Sequence, residues 1–451
     1  MIRTVFCREL RDQVSSWRFA AFSALLLVLG LTVTTVRSTE HRQRLLEYSQ
    51  AEALQSRMLD AGMSPGSGGG LVFQPPRRPA RMSLVAQGTQ ESVMERFFVS
   101  VYEDPVEVLH RDSDLLLVLG IVVSLGALLL ASDQLCGERE TGTLRLTLAN
   151  AVRRSSILLG KWLACLATLA TGILLLFLGV AAVLVLLGPD AWTTTDWLSF
   201  AALFGFTLAY ASAFLLIGLF LSAACRHSGT AAIAALMVWA LAVFVVPSLP
   251  LYLAREVRPA LSPTYATIHS LRVDDERREK LRALRAPLYA RGLSDLEVER
   301  QLDTTAVRAV MDEYRQSRGY YEKASHERAM VQGLLCAGLA QASPYSAYVL
   351  GGAEVSGVGV AAMASFHRFA QQQEVAMHAF LEERWRAEAL RNPQLRAGDL
   401  LATHDRPRAV YRGDPLAYRL AGLTVPLLSL VAFNAVFFMF AWRRFMRYDV
   451  R

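Results

Sequence analysis

Six long runs of uncharged, apolar residues constrain this chain more than any other feature. Each is close in length to the roughly 20 helical residues that cross a bilayer core, and none carries Asp, Glu, Lys or Arg in its middle. Because backbone polar groups inside lipid must be satisfied within their own segment, we expect each run to be a helix. The runs are approximately 19–36, 114–132, 162–187, 198–224, 230–253 and 418–441.

The composition agrees with a membrane protein. Hydrophobic residues make up 53% of the 451 residues and charged residues only 19%, which is unlike an ordinary soluble domain. The first run follows a basic stretch, as a signal peptide does, but no small-residue cleavage site follows it, so we interpret it as a retained span. The sequence therefore predicts an all-α, polytopic membrane protein with six transmembrane helices.

Charged loops indicate the orientation, since Lys and Arg resist transfer across the inner membrane. Loop 188–197 carries Asp190 and Asp196 but no Lys or Arg, so we expect it to face outward. The basic residues of the inner loops and tail fall on the opposite side: Arg139, Arg145, Arg153, Arg154, Lys161, Arg226, Arg443, Arg444, Arg447 and Arg451. We expect both termini in the cytoplasm and the protein in a bacterial inner membrane. The net charge of +7 follows from this topology, and we expect no nucleic-acid partner.

The predicted topology divides the chain into five parts. They are 1–36, the cytoplasmic N terminus and first span; 37–113, an extracytoplasmic insertion; 114–253, spans two to five; 254–416, an extracytoplasmic helical domain; and 417–451, the last span and a basic tail. In the second insertion we expect a helical hairpin, with one helix ending at Gly292 and the next restarting at the capping-box pattern of Ser294 and Glu297. A third helix is expected to return to the membrane.

One stretch of the second insertion, 345–363, is apolar enough to cross a membrane. It carries Glu354 at its centre, which costs about 2.5 to 3.5 kcal/mol on insertion scales. A seventh span would also place one terminus on the wrong side. We therefore assign this stretch to a surface-lying or re-entrant segment.

Several kinds of chemistry have no support in the sequence. Of the five cysteines only Cys336 falls in an outer segment, so no intramolecular disulfide is expected. Neither a CxxC nor an HExxH pattern occurs, which disfavours a metal site. The spans offer only Asn434 as a conspicuous polar side chain, whereas ion-coupled transporters need ionisable groups inside the membrane.

The chain also lacks a phosphate-binding loop of its own. The nearest candidate, SSILLGKW, has Ser155 in place of the first Gly and Trp162 in place of the hydroxyl residue. We interpret Lys161 as a side chain that snorkels to the inner interface. The chain is therefore expected to bind no cofactor, and any energy from ATP must arrive through a partner.

The segment GERETGTLRLTLANAVRRSSILLGK, residues 137–161, is the most polar short loop between spans. A short amphipathic helix on the inner membrane surface would expose Glu138, Glu140, Thr141 and Arg145 to a cytosolic partner. We expect Glu138 and Glu140 to make charge-assisted contacts with that partner or with the end of a neighbouring span. An ordinary basic loop that merely fixes the topology is the alternative, and the residues alone leave both open.

The same segment resembles the one that follows the second span in type 2 ABC transporter permeases. In that family it is the coupling helix, which enters a groove on the ATP-binding subunit. The resemblance therefore implies a coupling helix at 137–150. Ala151 departs from the Pro found in many members. The matching residues are Glu138, Glu140, Gly142, Thr143, Arg154, Gly160 and Lys161, and Arg139, Thr141 and Arg145 lie in the same segment.

The family resemblance also implies partners. These are an ABC ATPase subunit, which would hold ATP and Mg, a second copy or a sister permease, and an extracytoplasmic partner in some cases. The two outer insertions, with SPYSAYVLGG and a downstream HRF, resemble the permease of nitrous-oxide-reductase maturation.

We therefore expect a transport subunit and not an enzyme: an ATP-driven permease, with export the usual mode of the family. A permease that acts mechanically on an outer partner without moving solute is the first alternative. A membrane-embedded hydrolase is the second, although no nucleophile or metal set is found in the spans. The sequence leaves the cargo open.

Overall fold

A computed structural model describes most of the chain. The described residues are 2–62, 75–86, 114–149, 153–188, 190–257, 263–293, 297–298, 301–302, 304–392, 401–408, 410–411 and 413–447. Ala151, Ser294 and Arg451, which the sequence analysis names, lie outside them, as does about half of the first insertion.

The described part of the chain is almost entirely helical, and no strand occurs in it. The α-helices are α1 (Ile2–Val14), α2 (Trp17–Asp60), α3 (Leu115–Val118), α4 (Ser124–Ser132), α5 (Cys136–Glu140), α6 (Thr143–Ala149), α7 (Arg154–Leu187), α8 (Thr194–Ala224), α9 (Ser228–Ala240), α10 (Val246–Val257), α11 (Pro263–Tyr289), α12 (Thr304–Ala340), α13 (Pro344–Val355), α14 (Val360–Arg391) and α15 (Leu416–Met446). Single π-helical turns, Leu119–Val123 and Leu241–Val245, join α3 to α4 and α9 to α10.

Six helical segments in the described ranges are long and apolar enough to cross a membrane. They confirm the predicted all-α polytopic fold, and each contains one of the six apolar runs. We number them as spans: one is α2, two is α3 with α4, three is α7, four is α8, five is α9 with α10, and six is α15.

Span four lies at the centre of the bundle, packed against spans two, three and six. Tyr210, in its middle, is fully buried, and its hydroxyl donates to the Gly120 carbonyl at 2.7 Å. That carbonyl belongs to the π-helical turn of span two, where a widened turn alters the usual hydrogen-bond ladder. Span four therefore supplies a polar partner at the irregular point of its neighbour, as a membrane interior requires.

The apolar stretch 345–363 of the predicted second insertion does not lie on the surface. Helix α13 is mostly buried, and Tyr348 stacks on Tyr210 with ring centroids 4.3 Å apart. Helices α13 and α14 meet at a bend of 42°, which makes a broken span or a re-entrant loop. The surface-lying alternative was wrong, because the apolar and small residues of this helix find a place between spans four and six. At the bend, the Glu354 carboxylate accepts a hydrogen bond from the Ala361 amide at 3.2 Å.

Span one is longer than a membrane requires. Helix α2 runs without a break for 44 residues, which is about 66 Å at 1.5 Å per residue. A bilayer core is only about 30 Å thick. The beginning of the predicted first insertion is therefore a helical continuation of that span.

The chain divides into two compact units, residues 1–247 with 340–451, and residues 248–339. The second unit contains α11 and α12, whose side chains meet in the Lys280–Glu313 ion pair at 2.6 Å. Helix α11 is followed by Gly292 at a φ of +78°, a left-handed conformation that glycine adopts at low cost. Residues 340–416, which the sequence analysis placed with the outer domain, cluster with the first unit.

We expect Gly218→Ala to lower the thermal midpoint of the purified protein. A Cβ at Gly218 would come within 2.8 Å of the Ala131 Cβ and 3.0 Å of the Leu128 carbonyl oxygen of span two. Overpacking of this kind costs about 1–3 kcal/mol. Gly205→Ala in the same helix is the matched control, because a Cβ there meets nothing within 4 Å. An equal effect of the two substitutions would contradict this close approach.

Candidate functional site

The loop between spans two and three forms two short helices, α5 and α6, instead of the single helix predicted. Gly142 separates them with a φ of +75°, where only glycine is relaxed. The first helix begins where the Ser222 hydroxyl accepts hydrogen bonds from the Leu135 and Cys136 amides, at 2.9 and 3.1 Å. These amides have no partner within the helix, so span four caps α5.

Helix α6 is held to the bundle by one side and exposed on the other. Leu144 is fully buried in a small apolar cluster, whereas Leu146 is 70% exposed. Arg145 and Thr141 are also exposed. The cluster draws on the ends of spans three, four and six; its buried members are Leu135, Leu144, Ile157, Leu158, Ala223, Ala441 and Phe445.

Lys161 is the centre of a buried ion cluster and does not snorkel. Its side chain is 2% exposed, and Nζ lies 2.8 Å from Glu138 Oε1 and 2.9 Å from Glu9 Oε1. The snorkelling interpretation was wrong because two carboxylates replace the water that the ammonium group would otherwise seek. Glu138, at 23% side-chain exposure, is accordingly turned toward the beginning of span three. This is the contact with a neighbouring span that we expected as the alternative to a contact with the partner.

Glu140 reaches the beginning of span five. Its carboxylate accepts hydrogen bonds from the Ser228 amide at 2.9 Å and the Ser228 hydroxyl at 2.7 Å. His227 lies 3.3 Å away. The N-cap side chain of α9, His227, makes no capping hydrogen bond, so Glu140 satisfies the helix end and places negative charge at its positive pole.

The remaining predicted residues tie the segment together. Arg139 donates to the Cys225 carbonyl at the end of span four, at 2.9 Å. Arg154 donates to the Met446 carbonyl at the end of span six, at 2.7 Å. The hydroxyls of Thr141 and Thr143 are 2.9 Å apart, and Gly160 is buried one residue before Lys161.

The N-terminal helix α1 belongs to this site, and the sequence analysis did not identify it. Besides Glu9, it contributes the buried Gln13, whose side-chain oxygen accepts a hydrogen bond from Thr168 of span three at 2.9 Å. The less exposed residues of α1 are Val5, Phe6, Glu9, Leu10 and Gln13. This is the spacing of an amphipathic helix, and it is visible in the sequence of residues 5–13.

The α5–α6 segment links several elements of the bundle. Helices α5 and α6 are bonded to spans three, four and five and, through Lys161, to α1, and Leu144 of α6 shares an apolar cluster with Phe445 of span six. Among the described residues no group of three His, Cys, Asp or Glu side chains could hold a metal ion. What the segment offers outward is an exposed face formed by Glu140, Thr141, Arg145 and Leu146, which we call the outer face of α5–α6.

A comparison with protein families identifies the chain. The model of the ABC-2 family transporter protein matches residues 3–285. The match covers more than half of the chain and includes α1, the first five spans and the α5–α6 segment. No curated protein matches the sequence. Six spans joined by a polar segment of this kind agree with the family match, and the chain is a membrane permease that belongs to the ABC-2 family of transporter proteins.

Proposed function

We propose that this permease receives force from a separate ABC ATPase at the outer face of α5–α6. The observation that carries the proposal is the position of the segment. One short pair of helices is bonded to three of the six spans, shares an apolar cluster with a fourth, and presents four exposed side chains. The ATPase would bind ATP and Mg and do the chemistry.

The contacts suggest how movement would pass into the bundle. Displacement of α5 would act on span three through Lys161, on span four through Ser222, and on span five through Glu140. Displacement of α6 would act on span six through Leu144 and Phe445, because both side chains belong to one packed apolar cluster. The spans would then shift together, and the substrate would move across the inner membrane.

The finer features of this proposal follow from the family. The ATPase would contact the cytoplasmic side, so α1, α5, α6 and the C-terminal end of span six would be cytoplasmic. A second copy or a sister permease would complete the transporter. Export is the expected direction, and the likeness to the permease of nitrous-oxide-reductase maturation is part of the same proposal.

Leu146→Asp tests the contact surface. Burial of this leucine against the ATPase would be lost, and we expect the affinity between the two subunits to fall at least about tenfold, equivalent to about 1.4 kcal/mol. The measurement is the titration of the detergent-solubilised permease with its purified ATPase. Leu390→Asp is the matched control, because Leu390 is 87% exposed on α14, away from the segment. Equal affinities for wild type and Leu146→Asp would remove the support for this surface.

A purely mechanical role is the second candidate, and the second compact unit favours it. Within that unit, α11 and most of α12 are long helices rich in charged side chains. Such a unit would act on an extracytoplasmic partner while no solute crosses. Proteoliposomes containing the permease and its ATPase distinguish the two: solute movement driven by ATP supports transport, and ATPase activity without solute movement supports the mechanical role.

A further inference from the structure

A cavity of about 650 Å³ lies at the end of the bundle opposite the α5–α6 segment. Asp196 and Arg419 line it, and they lie near the beginnings of spans four and six, whose other ends contact α5 and α6. We propose that this cavity is a binding site for a phosphate-bearing anion. The site is separate from the ATPase contact, and it stands whether or not the proposed coupling is correct.

Arginine dominates the charged lining of the cavity. Three acidic side chains, Glu52, Asp196 and Asp414, also line it. The six arginines come from three separate parts of the chain: Arg77, Arg78, Arg81, Arg406, Arg408 and Arg419. Bringing six guanidinium groups together is costly unless an anion or several carboxylates offset the repulsion between their positive charges. A planar guanidinium group binds phosphate through two parallel hydrogen bonds, so the lining suits a phosphate better than a neutral ligand.

Some of these arginines hold the walls together. Arg81 and Arg419 share Asp196, at 3.4 and 3.7 Å, and Arg406 pairs with Asp60 at the end of α2. These pairs are partly or largely buried, and we regard them as the frame of the site.

Other arginines are held weakly and could turn to a ligand. Arg408 is 64% exposed, and its contact with Asp60 is 3.9 Å long. Arg78 is 53% exposed where it meets Asp190 at 3.1 Å. Exposed ion pairs contribute only about 0–1 kcal/mol, so a phosphate group could replace either carboxylate at little cost. Arg77 stacks over the Phe366 ring at 5.3 Å, which orients its guanidinium group.

The rest of the lining suits a small, partly apolar ligand. Cavities that bind small molecules commonly measure about 300–1,000 Å³, so this one is of ordinary size. Four prolines stiffen its wall, and Leu59, Met377 and Val410 provide apolar surface; the prolines are Pro75, Pro76, Pro79 and Pro407. Burial raises the pKa of the Tyr411 hydroxyl, which lies 2.7 Å from the Ser365 hydroxyl at the edge of the cavity.

One wall of the cavity is formed by a helix that also belongs to the bundle. Tyr48, Glu52 and Leu59 in its wall belong to α2, the same unbroken helix that forms span one. A ligand here would therefore contact an element that continues through the membrane. Two sources of the phosphate fit this position: the headgroup of an anionic phospholipid, or a soluble phosphate compound outside the membrane.

Binding of two probes tests the proposal. The full-length chain in a non-ionic detergent and chloride buffer is titrated calorimetrically with dihexanoylphosphatidylglycerol and with inorganic phosphate. The cavity variant is Arg77→Gln with Arg408→Gln. The control is Arg386→Gln with Arg391→Gln, which removes the same charge from α14 residues that do not line the cavity. We expect at least about tenfold weaker binding by the cavity variant and less than about twofold change in the control.

The possible results distinguish a lipid headgroup from a soluble phosphate compound, and they include results that overturn the proposal. Binding of the lipid alone supports a headgroup site, and binding of both probes supports a soluble phosphate compound. Each conclusion also requires that binding be weakened in the cavity variant and not in the control. No binding by the wild-type chain, or equal loss in both variants, overturns the proposal. Should the double cavity variant unfold, Arg408→Gln against Arg386→Gln gives the same comparison at two exposed positions.

Discussion

Lys161→Met is expected to uncouple the permease from its ATPase and to destabilise the bundle. The substitution leaves Glu9 and Glu138 close together at 15% and 23% side-chain exposure, without the cation that both contact. Removing one partner from a buried ion cluster costs about 3–5 kcal/mol, because the remaining charges lose their compensation. The bond that joins α5 to span three and α1 is also lost. The measurements are the thermal midpoint of the purified permease and substrate movement per ATP hydrolysed in proteoliposomes.

A compensated variant separates stability from coupling. Lys161→Met combined with Glu9→Gln and Glu138→Gln removes the whole cluster and leaves no unpaired charge, so we expect most of the lost stability to return. Coupling should remain impaired, because the link between α5 and span three is still missing. Recovery of both properties would assign Lys161 a purely structural role. Normal coupling in Lys161→Met itself would contradict the proposed path.

The bundle could be predicted because its signal is local. Each span can be recognised within about 20 residues from the length of its apolar run and the lack of charged side chains, and the structure confirms all six. The position of helix α13 was harder to predict from the sequence. Glu354 argued against a membrane crossing, and in the structure its carboxylate accepts a hydrogen bond from the Ala361 amide across the bend between α13 and α14. A single-residue insertion cost does not include such a partner.

The interior of the candidate site could not be predicted for a different reason. Glu9 is 152 positions from Lys161 and Ser222 is 87 positions from Leu135, and no local pattern pairs residues so distant. The family motif located Glu138 and Lys161 in one segment, but it did not show that they bond to each other. The sequence thus located the segment, while the packing of the spans determined which of its side chains turn inward.

Replacement of both Glu138 and Glu140 by Ala is expected to leave membrane insertion intact and to separate ATP hydrolysis from transport. Insertion depends on the apolar spans, which the substitutions do not touch. Glu138→Ala removes one of the two carboxylates at Lys161, and Glu140→Ala leaves the first amide of span five without its acceptor. Helix α5 would then keep its bonds to span four but lose those to spans three and five. Displacement of α5 would no longer move the spans as a unit.

The measurement is the ratio of substrate moved to ATP hydrolysed, in proteoliposomes containing equal amounts of permease. We expect this ratio to fall at least about tenfold, a loss of roughly 1.4 kcal/mol in coupling. Glu382→Ala with Glu383→Ala on α14 removes the same charge from α14 and should leave the ratio unchanged. Glu140→Gln keeps an oxygen that can accept from Ser228, so on its own it should retain more coupling than Glu140→Ala. If the double alanine variant transports as efficiently as the wild type, force must enter the bundle elsewhere, and the bonds from α5 to Lys161 and Ser228 would serve only to hold the fold.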